Sequence, residues 1–222
     1  PSTYVSYKYE VKDNIISDNG FEQYGGCVGI YTVKCDENSV IDNNTITLTS
    51  GVSWAETGSQ AVGMLLGWLY DDGFSVTNNE INMTKYGIGV MVHASGSLNN
   101  PLVLDNNNIT STSSLALDEG DGTGVYISNQ YLYYTADTGP SYVEISDGNA
   151  ISGFVTGISV RNITDQLLTV IVENNSIVGN TTGISSTADG SYQPFTIDAT
   201  CNWWGTADPY QIENMVSGDV QF

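Results

Sequence analysis

A three-residue unit, Asn-x-Ile, recurs along the chain and limits what the chain can fold into. Six copies carry Ile at the third position, and a seventh carries Trp there. The units are Asn14-Ile15-Ile16, Asn44-Thr45-Ile46, Asn79-Glu80-Ile81, Asn107-Asn108-Ile109, Asn149-Ala150-Ile151, Asn175-Ser176-Ile177 and Asn202-Trp203-Trp204. Successive third positions lie 26 to 42 residues apart, and such periods are typical of solenoids, in which each unit stacks on its neighbours.

A glycine followed by an aliphatic residue comes after each of the first six units. These pairs are Gly29-Ile30, Gly63-Met64, Gly87-Ile88, Gly124-Val125, Gly157-Ile158 and Gly183-Ile184. The runs around them alternate, so Ile88, Val90 and Val92 are predicted to share one face of a strand. We expect the Asn of each unit to adopt the left-handed conformation at a corner, and equivalent Asn side chains to stack in a hydrogen-bonded ladder.

The segment from Asn175 to Ile184 carries both elements at close spacing: Asn-Ser-Ile-Val-Gly-Asn-Thr-Thr-Gly-Ile. It resembles the parallel β-helix repeat of the pectate-lyase-like superfamily. The resemblance implies an all-β fold, a right-handed parallel β-helix of about seven irregular coils, as repeat counting also predicts. We expect a single domain over residues 1–222, with an N-terminal strand or cap at 1–12, coils at 13–205 and a C-terminal cap or tail at 206–222.

The end of the chain has its own signature, Cys201-Asn202-Trp203-Trp204-Gly205 followed by Val216-Ser217-Gly218-Asp219-Val220. This is similar to the terminal coil of cell-surface and sheath β-helix proteins of methanogenic archaea. The resemblance implies an extracellular structural protein, a subunit of a self-assembling surface layer, sheath or filament. A Trp pair at this place is suited to plug the open end of a solenoid core.

The charge balance limits the partners. The chain has 25 acidic and five basic residues and a net charge of -20, which repels nucleic acids and anionic membranes. No apolar run is long enough to cross a bilayer. Because it begins at Pro1 without Met, the chain is interpreted as a processed secreted product or an excised domain. The expected partners are further copies of the chain and cell-surface glycans.

Three cysteines, Cys27, Cys35 and Cys201, are an odd number. In an exported protein, an odd count leaves at least one thiol free or bonded to another chain, and we take all three as candidates for disulfides or assembly. The alternative is a buried thiol that packs as a small hydrophobe. Six Asn-x-Ser/Thr sequons are candidates for N-glycosylation, at Asn43, Asn82, Asn108, Asn162, Asn174 and Asn180.

Catalytic residues are hard to find. Asp71, Asp72 and His93 resemble the set of polygalacturonase-type β-helix hydrolases, but Ala94 follows the histidine and no basic residue lies shortly downstream. We therefore expect no enzyme, and keep a carbohydrate-active β-helix enzyme or glycan-binding module as the alternative. No cofactor is expected beyond a structural Ca²⁺. Its candidate ligands are Asp118, Glu119 and Asp121, in a loop that is more often simply solvated.

Overall fold

Short parallel strands build almost the whole of the described chain. The structure is a computed structural model that describes residues 8–17, 27–32, 35–48, 61–67, 73–83, 87–93, 96–111, 122–129, 141–164, 166–188 and 195–222. The described strands fall into three sheets, and every pairing between them is parallel. The architecture is therefore all-β, as predicted.

The three sheets take their strands from the chain in strict rotation. Sheet 1 orders β1 (Glu10–Lys12), β4 (Val40–Asp42), β7 (Ser75–Thr77), β10 (Leu102–Asp105), β13 (Ser141–Ser146), β16 (Leu168–Val172), β19 (Ile197–Asp198) and β21 (Val220–Gln221). Sheet 2 orders β2 (Ile15–Ser17), β5 (Thr45–Leu48), β8 (Glu80–Met83), β11 (Asn108–Ser111), β14 (Ala150–Ser152) and β17 (Ser176–Ile177). Sheet 3 orders β3 (Val28–Tyr31), β6 (Ala61–Leu66), β9 (Gly87–His93), β12 (Thr123–Ser128), β15 (Thr156–Asn162), β18 (Thr182–Ala188) and β20 (Val216–Ser217). We call one passage through the three sheets a circuit, and this cyclic order is compatible with a parallel β-helix or solenoid.

The core lies between the sheets and consists of three columns of aliphatic side chains. Sheet 1 supplies Ile41, Val76, Leu104, Ile145 and Val172; sheet 2 supplies Ile46, Ile81, Ile109, Ile151 and Ile177; sheet 3 supplies Ile30, Met64, Val90, Val125, Ile158 and Ile184. The third residue of the Asn-x-Ile unit thus fills the column of sheet 2. Since β-branched residues pack well on a pleated surface, the Ile and Val content favours these strands.

A column of glycines lies in sheet 3, and it corrects one predicted pair. The column contains Gly29, Gly63, Gly89, Gly124, Gly157 and Gly183. A Cβ atom on any of the first five would overlap with the carbonyl oxygen of the next glycine, so only glycine permits this close approach. In the third circuit the glycine is therefore Gly89, not Gly87. The strand register skips the glycines, and the backbone bends there. As a result, Ile88 lies in a separate outer cluster with Val62 and Met91, whereas Val90 and Val92 belong to the core.

The corner before sheet 2 also differs from the prediction by one residue. In six of the seven units a left-handed residue directly precedes the Asn, and in the fifth unit both Asp147 and Gly148 have positive φ before Asn149. The Asn of the unit itself does not take this conformation. The left-handed residues are Asp13, Asn43, Asn78, Asn106, Asp147, Asn174 and Cys201, with φ between 52° and 61°. Six of the seven are Asp or Asn, whose short side chains tolerate this region through local hydrogen bonds. Cys201 lacks that compensation.

The last described residues extend two of the sheets. After Gly205 the chain forms α1 (Pro209–Glu213), which Asp208 caps by accepting a hydrogen bond from the Tyr210 backbone N–H. Strand β20 then pairs with β18, and β21 pairs with β19. Across the described ranges, no helix is long and apolar enough to cross a membrane.

Candidate functional site: the two ends of the stack

An asparagine ladder runs the length of sheet 2 and defines a direction in the molecule. Its members, hereafter the Asn ladder, are Asn14, Asn44, Asn79, Asn107, Asn149, Asn175 and Asn202. In each of the six steps the backbone N–H and the Nδ2 of one Asn donate to the Oδ1 of the next, at 2.8 to 3.2 Å. The remaining Nδ2 protons go to backbone carbonyls, so the ladder buries polar groups that are fully hydrogen-bonded. The predicted stacking is thus observed.

The C-terminal end of the ladder is closed on its inner side by Trp204. This residue takes the position that Ile occupies in the other units, and only 4% of it is exposed. Its ring packs over Gly183 and meets Phe222 edge to face, with the ring centroids 6.4 Å apart. Trp203 points the other way and is 54% exposed. One Trp of the pair therefore covers the core, and the other is presented to solvent.

A notch of about 350 Å³ opens above this last unit. Its lining includes Asn202, Trp203 and Trp204, which we call its floor, together with Phe222 and with Pro209 and Ile212 of α1. The lining is completed by Ala199, Cys201, Thr206 and Ala207. We call this feature the C-terminal notch. Trp203 is bridged to Ser176 and is the last residue of sheet 2, whereas β21 adds one more strand to sheet 1. The notch exists because sheet 1 is therefore one strand longer at this end.

Exposed large hydrophobic side chains gather at the two ends of the stack. Among the described residues they are Tyr9, Ile15, Val28, Tyr31, Leu98, Leu167, Trp203, Tyr210 and Phe222. Four of these nine belong to the first circuit and three to the last twenty residues. Apolar surface concentrated in this way is typical of interaction sites. Within the described part of the chain, β1, β2 and β3 are the edge strands of their sheets, so no described strand pairs with the outer edge of the first circuit.

Sequence reasoning singled out Trp203 but missed Ile15, although the repeat contains the signal. The middle positions of the units are Ile15, Thr45, Glu80, Asn108, Ala150, Ser176 and Trp203, and they form one outward-facing row on sheet 2. Only the first and last members of that row are large and apolar. Ile15 is 86% exposed. The repeat marks it as an exception, because the other five units that end in Ile have a polar or small residue at this middle position.

The cysteines lie in three different environments, and no disulfide joins them within the chain. Cys35 is buried in the core, and Cys27 is half-buried and packs against the core. Cys201 is exposed at a left-handed corner beside the C-terminal notch. The burial expected of a small hydrophobe thus applies to Cys35, while Cys201 is the cysteine that another chain can reach.

The residues of the enzyme alternative are only partly described. His93 is fully buried at the end of β9, where its ring lies 6.2 Å from that of Tyr126. Asp71 and Asp72 lie outside the described residues. The candidate calcium ligands Asp118, Glu119 and Asp121 also lie outside them. Within the described ranges, no group of three or more His, Cys, Asp or Glu side chains is placed to hold a metal ion.

The sequon asparagines differ in accessibility. Asn108 projects from β11 into solvent, whereas Asn162 is buried. Asn43 and Asn174 occupy left-handed corners and donate to Asp13 and Asp147 respectively. The remaining two, Asn82 and Asn180, are half-buried and hydrogen-bonded to Glu80 and to the Ile151 carbonyl. Glycosylation at these positions stays a prediction, and Asn43, Asn108 and Asn174 are the three exposed sequon asparagines.

Two carboxyl groups on the outer face of sheet 1 have shifted pKa values of opposite sign. Hydrogen bonds from Asn78 and Thr77 hold the pKa of the Asp42 carboxyl below its ordinary value. Burial, and secondarily the nearby charge of Asp147, raise the pKa of Asp105 above its ordinary value. Asp42 and Asp105 flank Thr77 from either side in the strand register, so equivalent positions in neighbouring circuits have opposite pKa shifts because hydrogen bonds dominate at Asp42 and burial dominates at Asp105.

Comparison with known proteins gives no match: no family model fits the chain, and no curated protein and no solved structure is similar to it.

Proposed function

We propose that the chain is a non-enzymatic structural protein of the cell exterior, which assembles with copies of itself into a surface layer, sheath or filament. The observation that carries this proposal is the concentration of exposed large hydrophobic side chains at the two ends of the stack, where edge strands also lie. Unpaired edges with apolar side chains template pairing with another chain. Between the ends, the outer face of sheet 2 is polar or small, which favours contact through the ends.

The finer architecture belongs to the same proposal. We take the three sheets as the faces of a right-handed parallel β-helix of about seven coils. Support for the hand comes from the parallel connections, because crossovers between parallel strands are right-handed in about 98% of cases. A contact between opposite ends of such a column does not close on itself, so it produces filaments and not rings.

An extracellular location is supported by the acidic charge and the sequons. A net charge of -20 suits a surface in a medium that contains salt or Ca²⁺. Cys201 adds a way to cross-link neighbouring chains under oxidising conditions, since it is exposed beside the notch.

The test is the state of association of the purified chain. Light scattering and sedimentation, with and without Ca²⁺ under oxidising conditions, are expected to give species well above the chain mass of 23.8 kDa. A non-reducing gel run beside a reducing gel then reports whether cysteines link the chains. A protein that stays monomeric in all these conditions contradicts the proposal.

A second candidate function rests on Trp203. Its exposed ring borders a notch of a size that accepts one or two sugar rings, and aromatic rings stack on sugars. A glycan-binding module would bind oligosaccharides from a broad panel and lose that binding in Trp203→Ala, while remaining monomeric. Turnover of a polysaccharide that depends on Asp72 would instead support the enzyme alternative.

A further inference from the structure

The C-terminal notch has the properties of an empty strand position in sheet 2. We infer that this position is filled by strand β2 of a second copy of the chain, so that copies join head to tail and the Asn ladder continues from one copy into the next. The inference rests on the proposed function, since it names the partner and the surfaces of the same assembly.

The backbone groups at the floor of the notch support this reading. On its inner side, Trp203 has the pairing of an ordinary strand: its N–H donates to the Asn175 carbonyl at 2.7 Å, and its carbonyl accepts from the Ile177 N–H at 2.8 Å. On its outer side, the Asn202 carbonyl, the Asn202 N–H and the Trp204 N–H have no hydrogen-bond partner in the described part of the chain. In the other circuits these same groups bond to the next strand of sheet 2 and to the next ladder oxygen.

The first circuit offers the matching groups. The Asn14 Oδ1 accepts no hydrogen bond from the described residues, whereas every later member of the ladder accepts two. Among the described strands, β2 is the edge strand of sheet 2, so no described strand pairs with its outer edge. If the next copy follows the register of the six existing steps, its Asn14 accepts from Asn202, and its Ile15 pairs with the backbone on either side of Trp203. All three donors and acceptors of the notch floor are then satisfied.

The side chains fit the same register. Ile15 and Trp203 are the only large hydrophobic members of the outward row on sheet 2, and they stand at its opposite ends. The join places them side by side at about 4.8 Å, the ordinary spacing between strands. Two exposed apolar surfaces thereby cover each other, which neither end achieves alone.

Strands β1 and β21 must exchange for this join to form. If the register of sheet 1 continues across the join, Gln221 of one copy and Glu10 of the next occupy the same position in the sheet. Strand β21 of the first copy and strand β1 of the second therefore cannot both be present. We infer that β21 replaces β1 and pairs with β4 of the second copy. The exchange conserves the number of strand pairs, because β21 takes the place that β1 has beside β4.

The experiment uses two variants that each block one end. Ile15→Asp places a charge in the N-terminal contact, and Trp203→Asp places one in the C-terminal contact. Each variant alone is expected to lose all species larger than a monomer. An equimolar mixture is expected to form dimers and nothing larger, because one intact join remains possible between the two variants. Leu98→Asp is the matched control: Leu98 is 74% exposed and lies shortly before β10, the fourth of the eight strands of sheet 1, so this variant should assemble like the wild type.

The outcomes separate the join from the proposed function. If the wild type assembles and the two end variants assemble equally well, the join is wrong while self-assembly stands. If the mixture stays monomeric, the contact is not head to tail. Circular dichroism verifies that all three variants are folded, which we expect because the substituted side chains are exposed.

If the wild type is monomeric, the proposed function fails and the join is tested on its own. The probe is a peptide of residues 12–17, with an Asn14→Ala peptide as its control. The first is expected to shift the fluorescence of Trp203 and to bind at least tenfold more tightly than the control. Equal binding, or no binding by either peptide, overturns the inference.

Discussion

At the scale of the residue, the corner before each strand of sheet 2 depends on two kinds of residue with different roles. One residue turns the backbone in the left-handed conformation, and the Asn after it buries its amide in the ladder. The sequence pattern identified the Asn and its stacking, because the Asn recurs at every corner. It assigned the left-handed conformation to the wrong neighbour, because Asp and Asn are both suited to it and several corners read Asn-Asn.

The adjacent residues Asn107 and Asn108 allow the contribution of the ladder to stability to be measured, because Asn107 belongs to the ladder and Asn108 does not. Asn107→Ala removes an amide that accepts from Asn79 and donates to the Val76 carbonyl at 2.8 Å, and it leaves buried polar groups unpaired. We expect a loss of roughly 2–4 kcal/mol in the free energy of unfolding, since each unsatisfied buried group costs about 1–3 kcal/mol. Asn108→Ala changes an exposed side chain and should shift the free energy of unfolding by less than about 0.5 kcal/mol. Urea unfolding of both variants decides the matter, and equal losses would contradict the role of the ladder.

At the scale of the element, sheets 2 and 3 were predictable and sheet 1 was not. The Asn-x-Ile unit and the Gly-aliphatic pair mark sheets 2 and 3 because a corner and a close backbone approach each demand a particular residue. No position in the strands of sheet 1 requires one particular residue. Their outward-facing positions include both apolar residues, such as Val103 and Ile171, and charged ones, such as Asp42 and Asp105. Without a fixed residue or a strict alternation, the pattern gave no period to recognise.

Sheet 1 nevertheless yields a prediction about pH. Asp42 has a lowered pKa, so its carboxylate stabilises the fold above the ordinary value of 3.8, and this is lost as pH falls through the lowered pKa. Asp105 has a raised pKa, so its charged form destabilises the fold at neutral pH, and this is relieved as pH falls through the raised pKa. At pH 7, Asp42→Asn should therefore lower Tm and Asp105→Asn should raise it. Both differences should shrink in acid, and thermal unfolding that gives the same sign for the two variants would refute the assignment.

At the scale of the whole molecule, the ends are what sequence reasoning could least foresee. The notch arises from the relative levels of β21, α1 and Trp203, and no local pattern encodes such a step between sheets. The repeat predicted that the column would end near Trp204, but not that Trp204 would turn inward while Trp203 turned outward. That difference depends on the alternation of side chains along the last unit, which the first unit repeats with Ile15 and Ile16.

The net charge of -20 should make the stability of the whole column depend on salt. Sodium chloride raised from about 0.01 M to about 1 M shortens the Debye length from about 30 Å to about 3 Å and screens the repulsion among the carboxylates. We expect Tm to rise by roughly 2–4 °C, which corresponds to about 1 kcal/mol for a chain of this size. Scanning calorimetry of dilute protein measures the shift. A Tm that falls or stays constant across this range would show that repulsion contributes little.

The Asn ladder has one more consequence, which concerns long-range orientation. Successive peptide dipoles alternate in direction along each strand and nearly cancel, but the side-chain amides of the ladder all point the same way. Their moments therefore add along the axis, with the positive pole at Asn202 and the negative pole at Asn14, in the manner of a helix macrodipole. Two molecules approaching within a Debye length are turned so that unlike poles face each other. The moment of the ladder therefore favours the same head-to-tail order as the join that we propose.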